Sequence, residues 1–258
     1  MKKDNLGLIV SRQLSTFDFQ HVLCTNFITD MCSISAQTKE CSYLLPLYIY
    51  DEGSIDTDKL TNLDETIWRT IENWVKFGQA RKPLTANEQN GLLGFDAEPE
   101  QPHFLQPEDI FDYIYGVLHS PAYRAKYKEF LKVDFPRIPY PKNADEFEYF
   151  RSFGHTLREL HLMHNIPESA VLFPEGGSMV VERVNYEDGR VYINDKQFFD
   201  HVPQVAWEMY IGGYQPAQKW LKDRKGRTLS SDDVEHYRKI IFVLSETANL
   251  MQRLDEPY

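Results

Sequence analysis

The stretch "DYIYGVLHSPAYRAKYKEFLKVDFPRIPYP", Asp112 to Pro141, is too aromatic for a linker and too basic for a core, and it holds no catalytic constellation. Its punctuation decides its shape. Pro107 suits a first helical turn, and Glu108 and Asp109 complement the positive end of the helix that follows. That helix is expected to carry Ile110, Phe111, Ile114, Tyr115 and Leu118. Ser120-Pro121 restarts the chain as a second helix, with Tyr123, Tyr127, Phe130 and Leu131 as its apolar stripe and Arg124, Lys126 and Lys128 on the surface. Prolines 136, 139 and 141 then force "DFPRIPYP" into an extended strap.

Outward from this hub, the first fifty residues read as short strands. Leu6, Leu8 and Val10 alternate with Gly7, Ile9 and Ser11, and "SYLLPLYIY" sets Leu45, Leu47 and Ile49 on one face, with Pro46 marking an edge or a bulge. Leu63, Ile67, Ile71, Trp74 and Val75 recur at helical spacing, capped by Thr61 or Asn62 and stopped at Gly78. Residues 79 to 106 lack periodicity and suit a long surface connection or a boundary. A long helix is expected from Asn143, with Glu146 three residues on, to about His164, Gly154 permitting close packing. "MVVERVNYEDGRVYIN" is a hairpin around Asp188-Gly189. Val205 to Trp220 form a helix broken at Gly212-Gly213, and a last helix starts near Ser230 or Ser231, burying Val234, Tyr237, Ile241, Leu244, Ala248 and Met251. The fold class is α+β: a strand-rich part over residues 1–95 and a helical part containing a hairpin over residues 96–258.

A chain of 258 residues with 42% hydrophobic side chains can bury a substantial core. No signal peptide or membrane-spanning run is visible, and the three cysteines, Cys24, Cys32 and Cys41, fit buried thiols of a reducing compartment. A cytoplasmic protein is expected. The net charge of -11 speaks against a simple nucleic-acid binder. It is unevenly spread, however, with no lysine or arginine from Pro83 to Tyr123 and five cations in the nine residues of "KWLKDRKGR": Lys219, Lys222, Arg224, Lys225 and Arg227. Gly226 allows a backbone to approach closely there. Such a run either contacts phosphate or is a solvated helix end favoured by the macrodipole.

Other constellations read as structural. His155, His161 and His164 share a helix without a completing carboxylate or cysteine, so a metal site is not expected. Gly176-Gly177 and Gly212-Gly213 lack phosphate-loop frames and suit turns. Ser178 and Ser245 have no nucleophile-elbow context.

In order along the chain, "DNLGLIVSRQ", "FQHVLCTNFITDMCSIS", "YLLPLYIY", the Asp112 to Pro141 block, "FGHTLRELHLMH" and "YQPAQKWL" closely resemble the carboxy-terminal specificity region of type ISP and related type IIG restriction-modification enzymes. The resemblance spans nearly the whole chain. It implies a target-recognition domain that reads a short asymmetric site on double-stranded DNA for an adjoining N6-adenine methyltransferase, and makes the aromatic helix pair and its strap the hub that holds the reading surfaces. The family's Asn-Pro-Pro-Tyr type motif and its glycine-bearing S-adenosylmethionine loop are not in this sequence, nor is a Walker motif or a nuclease cluster. Methylation and cleavage would then belong to another part or subunit, which would hold the S-adenosylmethionine. Under this reading cations set register on phosphates, and a few side chains read base edges, each good bidentate contact discriminating by about 1 to 3 kcal/mol. Lys219, Lys222, Arg224, Lys225 and Arg227 are the candidate phosphate contacts. Arg12 and Gln13 are candidates for base or backbone contact, with a strand-end surface charge as the alternative for Arg12. The rival from another class is an interaction scaffold that docks on a methyltransferase without gripping DNA.

Overall fold

The structure is a computed structural model and describes residues 4–15, 18–34, 40–50, 59–79, 105–174 and 176–254. The expected 79 to 106 connection, apart from its ends, and the 95/96 boundary lie outside these residues. The α+β class holds, with antiparallel strands throughout the three described sheets.

Strand β1 (Gly7–Ser11) runs between β2 (Val22–Thr25) and β3 (Ser42–Pro46). All five residues of β1 are buried, so the expected half-exposed alternation gives way to a strand covered on both faces. Leu8 and Val10 share a small cavity with Ile114, Leu118, Phe135 and Ile138, while Ile9, on the opposite face of the pleat, is equally enclosed. The single face expected for Leu45, Leu47 and Ile49 does not form. Pro46 offers no N–H, β3 ends there, and β4 (Tyr48–Tyr50) pairs instead with β5 (Lys59–Thr61). Leu47 is buried at this switch, whereas Leu45 and Ile49 are exposed.

Helix α1 (Glu65–Gln79) is capped by Asp64, whose Oδ1 accepts the N–H groups of Thr66 and Ile67, rather than by Thr61 or Asn62. Gly78 lies inside it. Helix α2 (Pro107–His119) begins as expected, its Asp109 carboxylate accepting the Gln106 N–H at 2.7 Å. The second aromatic helix splits at Tyr127 into α3 (Pro121–Lys126) and α4 (Lys128–Leu131), with the Ser120 hydroxyl capping the first. Tyr123 and Leu131 are buried, but Phe130 is 72% exposed, because the split turns it away from the stripe. The strap is fastened by tyrosines: Tyr113 Oη donates to Pro139 O and Tyr123 Oη to Arg137 O, while Leu14 N donates to Lys132 O.

Helix α5 (Ala144–His161) is capped by Asn143 and stops at left-handed Met163 and Asn165, short of the expected His164. It crosses α2 at glycines. A Cβ on Gly116 would stand 2.2 Å from Phe150 O, so the two backbones touch.

A second hydrophobic core follows. Strands β6 (Asn185–Glu187) and β7 (Arg190–Tyr192) form the expected hairpin, with Asp188 and Gly189 both at positive φ as a two-residue type I′ turn requires, and β8 (Phe198–Phe199) joins them. Helices α6 (Gln204–Glu208) and α7 (Pro216–Lys222) flank the Gly212-Gly213 turn. Helix α8 (Ser231–Leu254) starts at a reciprocal cap in which Ser230 Oγ accepts Asp233 N–H and Asp233 Oδ2 accepts Ser230 N–H, each at 3.1 Å. It unites the molecule: Tyr237, Ile241 and Leu244 pack in the second core, Leu250 and Leu254 in the first, which also draws on both the N-terminal strands and α2.

Candidate nucleic-acid interface

The basic run leaves α7 and turns back through Gly226, whose φ is 80°. Its backbone is stitched to the neighbouring segment: Gly226 N donates to Val181 O, Val181 N to Arg227 O and Leu229 N to Met179 O. The turn is therefore fixed, and its side chains divide by task. Arg224 stacks with its guanidinium carbon 3.5 Å from the Trp220 ring centre, donates to Trp220 O, and pairs with Asp233 at 3.4 Å. It ties α7 to the start of α8. The Ser230 backbone N–H, then the Ser230 hydroxyl and Arg224, hold the Asp233 carboxyl below its usual range. Lys219 pairs with Asp223 at 2.7 Å and Lys222 donates to Gln218. Lys225 and Arg227 point outward, exposed and without an ion pair among the described residues.

Beside α7 the two cores form a groove of about 440 Å³, in which Cys32 and Ser33 face Lys219, Trp220 and Arg224. The β2–β3 connection is clamped here. Tyr214 Oη donates to Ser33 O and Gly213 N to Ile34 O, while Gly212 N holds Gln20 O just before β2. Gly212 has φ 58°, and a Cβ on it would stand 2.1 Å from Ile34 O, so only glycine fits.

The same connection carries residues that the sequence reading missed. Phe27, Ile28 and Met31 are 75%, 72% and 62% exposed, an unusual concentration of large apolar side chains on one short loop. The loop is shaped by side-chain turns: Thr25 Oγ1 accepts Phe27 N–H and Asp30 Oδ1 accepts Cys32 N–H. The signal in "CTNFITDMC" is apolar residues alternating with turn formers rather than keeping a strand period.

Arg12 and Gln13 stand elsewhere. Arg12 pairs with Asp134 at 3.2 Å and lies 5.9 Å from the Phe135 ring centre, and Gln13 Nε2 donates to Val133 O at 3.5 Å. Both hold the strap, and no described contact joins them to the Lys219 to Arg227 turn.

The three histidines expected on one helix have protein partners, His164 lying beyond the end of α5: His155 meets Asp112, His161 meets Tyr115 and Thr247, and His164 meets Glu159. Among the described residues no group of three histidine, cysteine or acidic side chains is placed for a metal ion. Cys32 and Cys41 are exposed rather than buried, because both flank the edge of the first sheet, while burial pushes the Cys24 thiol up to about 12. No helix among the described residues is long and apolar enough to cross a membrane.

Among the solved structures that share this fold are three seen with DNA. The DrdV–DNA complex gives a TM-score of 0.68 at 19% identity, covering 97% of this chain and 24% of that one. The ATP-dependent type ISP restriction-modification enzyme LlaBIII, bound to DNA, gives 0.69 at 19%, covering 99% and 16%. A nuclease-deletion mutant of the type ISP enzyme LlaGI, with a DNA substrate mimic, gives 0.63 at 20%, covering 98% and 21%. The chain thus spans less than a quarter of the length of each. No curated protein sequence matches it. The model of the Type ISP C-terminal specificity domain matches residues 1–253, and the chain belongs to that family.

Proposed function

We propose that the chain is the DNA target-recognition part of a restriction-modification enzyme of the type ISP kind, related to type IIG enzymes. It selects a short site for an N6-adenine methyltransferase that uses S-adenosylmethionine and lies in the rest of the enzyme. The observation that carries this reading is the specificity-family match over residues 1–253. The DNA-bound state of three structures with the same fold supports it. Lys225 and Arg227 supply phosphate contact, Lys219 extends it once it leaves Asp223 and Lys222 once it leaves the Gln218 amide, and Phe27, Ile28 and Met31 supply apolar contact to the duplex. Arg224 acts indirectly, by fixing the turn.

A scaffold that docks on the methyltransferase without gripping DNA is favoured by the net charge of -11 and by the partners that occupy Lys219 and Arg224. Fluorescence anisotropy with labelled duplexes at several salt concentrations separates the two. The DNA reading predicts a salt-dependent affinity whose logarithmic slope falls by about 2 when Lys225 and Arg227 both become glutamine. An absence of binding at every salt concentration supports the scaffold.

A further inference from the structure

Where the cores meet, a second cavity of about 290 Å³ opens beyond the C-terminal end of α2. Val22, Val205, Met209 and Met251 give it apolar walls, and the groups of full charge on its lining are Arg124 and, at its rim, Glu208. Arg124 was expected on the surface. It turns inward instead, donating from Nε to Leu118 O at 2.7 Å, with its guanidinium carbon 5.9 Å from the Phe19 ring centre. Its four remaining N–H groups meet no acceptor, and no carboxylate pairs with it, among the described residues. A guanidinium drawn from water ordinarily pairs with a carboxylate or a phosphate, whose paired oxygens match its fork. Burial lowers the Arg124 pKa only to about 10, so the charge persists at neutral pH.

The two histidines beside it are not substitutes for that partner. His161 is fully engaged: Tyr115 Oη stands 2.6 Å from Nδ1, and Nε2 stands 2.9 Å from Thr247 Oγ1, which itself donates to Val243 O. This chain of bonds makes Nε2 the donor and Nδ1 the acceptor. His119 gives its Nδ1 proton to Tyr115 O at 2.8 Å, which leaves Nε2 as a lone pair without a partner among the described residues. Burial, Arg124 and His161 hold His119 neutral.

We propose that this cavity is an oxyanion site that takes a phosphate group, with the Arg124 fork on two of its oxygens and His119 Nε2 accepting a P–O–H proton. An internal phosphodiester of DNA has no such proton, so a free phosphomonoester matches the site better. The proposal does not rest on the DNA-reading function.

Calorimetric titration of the full chain with inorganic phosphate tests it. Saturable binding is expected, weakened about tenfold or more by R124Q and tightened about fivefold at low salt by E208K. Glu208 is exposed and its carboxylate accepts from Gln204 Nε2, so E208K reports on the cavity even where R124Q disturbs the end of α2. Absence of saturable binding, an unchanged affinity in folded R124Q, or no tightening in E208K overturns the proposal. In a second arm, a duplex without terminal phosphates is titrated against the phosphate-loaded protein. Absence of competition supports a free monoester, whereas competition assigns the site to a backbone phosphate and overturns the P–O–H contact to His119.

Discussion

Gly116 on α2 and Gly154 on α5 face each other across a crossing that leaves room for a side chain on neither: a Cβ on Gly154 would stand 1.7 Å from Asp112 O and 2.8 Å from Gly116 N. Backbone atoms cannot swing aside as a side chain does. Replacing Gly154 by alanine must push the helices apart and is expected to destabilise the fold by about 3 kcal/mol or more. Urea unfolding of G154A measures this. A loss below about 1 kcal/mol would show that the crossing adjusts and is not the fixed hub.

The same crossing is locked by charge. Asp112, almost wholly buried, receives Arg158 Nε at 2.6 Å on one oxygen and Nη2 at 3.1 Å on the other. Changing Asp112 to asparagine removes the buried charge opposite Arg158, leaving Glu159, 2.6 Å from Nη1, as its carboxylate partner among the described residues, and is expected to cost about 2 to 3 kcal/mol. A double-mutant cycle with Arg158→Met would then recover part of the loss. Strict additivity of the two substitutions would count against a coupled pair.

His161 makes the seam between the cores acid-sensitive. Burial, then Arg124, depresses its pKa to about 4, well below the value of about 6.5 in an unfolded chain. The unfolded state therefore takes up a proton that the folded state refuses, and stability falls as pH drops from about 6.5 to about 4. The full shift corresponds to a loss on the order of 3 kcal/mol. His119 is depressed for the same reasons and adds to it. H161Q should lower stability at pH 7.5 but flatten the pH dependence, as followed by urea midpoints from pH 7.5 to 4.5. An equally steep profile in H161Q would place the acid sensitivity elsewhere.

Phe27 and Ile28 are largely exposed, so changing both to alanine should alter stability by less than about 0.5 kcal/mol. If they contact DNA, the same change weakens duplex binding several-fold while leaving the salt slope intact, because no phosphate contact is removed. Unaltered duplex affinity in the double variant would remove the loop from the interface.

Local rules were the legible part of the sequence. Gly154, Asp188-Gly189, Asn143 and Ser230 each announce a close approach, a turn or a cap through chemistry that acts within a few residues, and the structure uses them so. What sequence could not supply was direction. Arg124 sits in a stretch of cations yet turns into the seam, because α2 ends where its fork can reach Leu118 O. Arg224 looks like its neighbours in the basic run but is spent on Trp220 and Asp233, partners set by the packing of α7 on α8. The strand switch at Pro46 hid for a related reason. A proline marks an interruption without saying which sheet receives the residues after it.

The central claim, that this domain reads a DNA sequence, is tested most directly by selecting bound duplexes from a randomised pool at low and moderate salt, with a K225E/R227E variant in parallel. The account predicts enrichment of one short asymmetric motif by the unaltered chain at both salt concentrations, and its loss in the variant. Binding without enrichment of any motif, or enrichment that survives in the variant, would contradict the account and its placement of the interface.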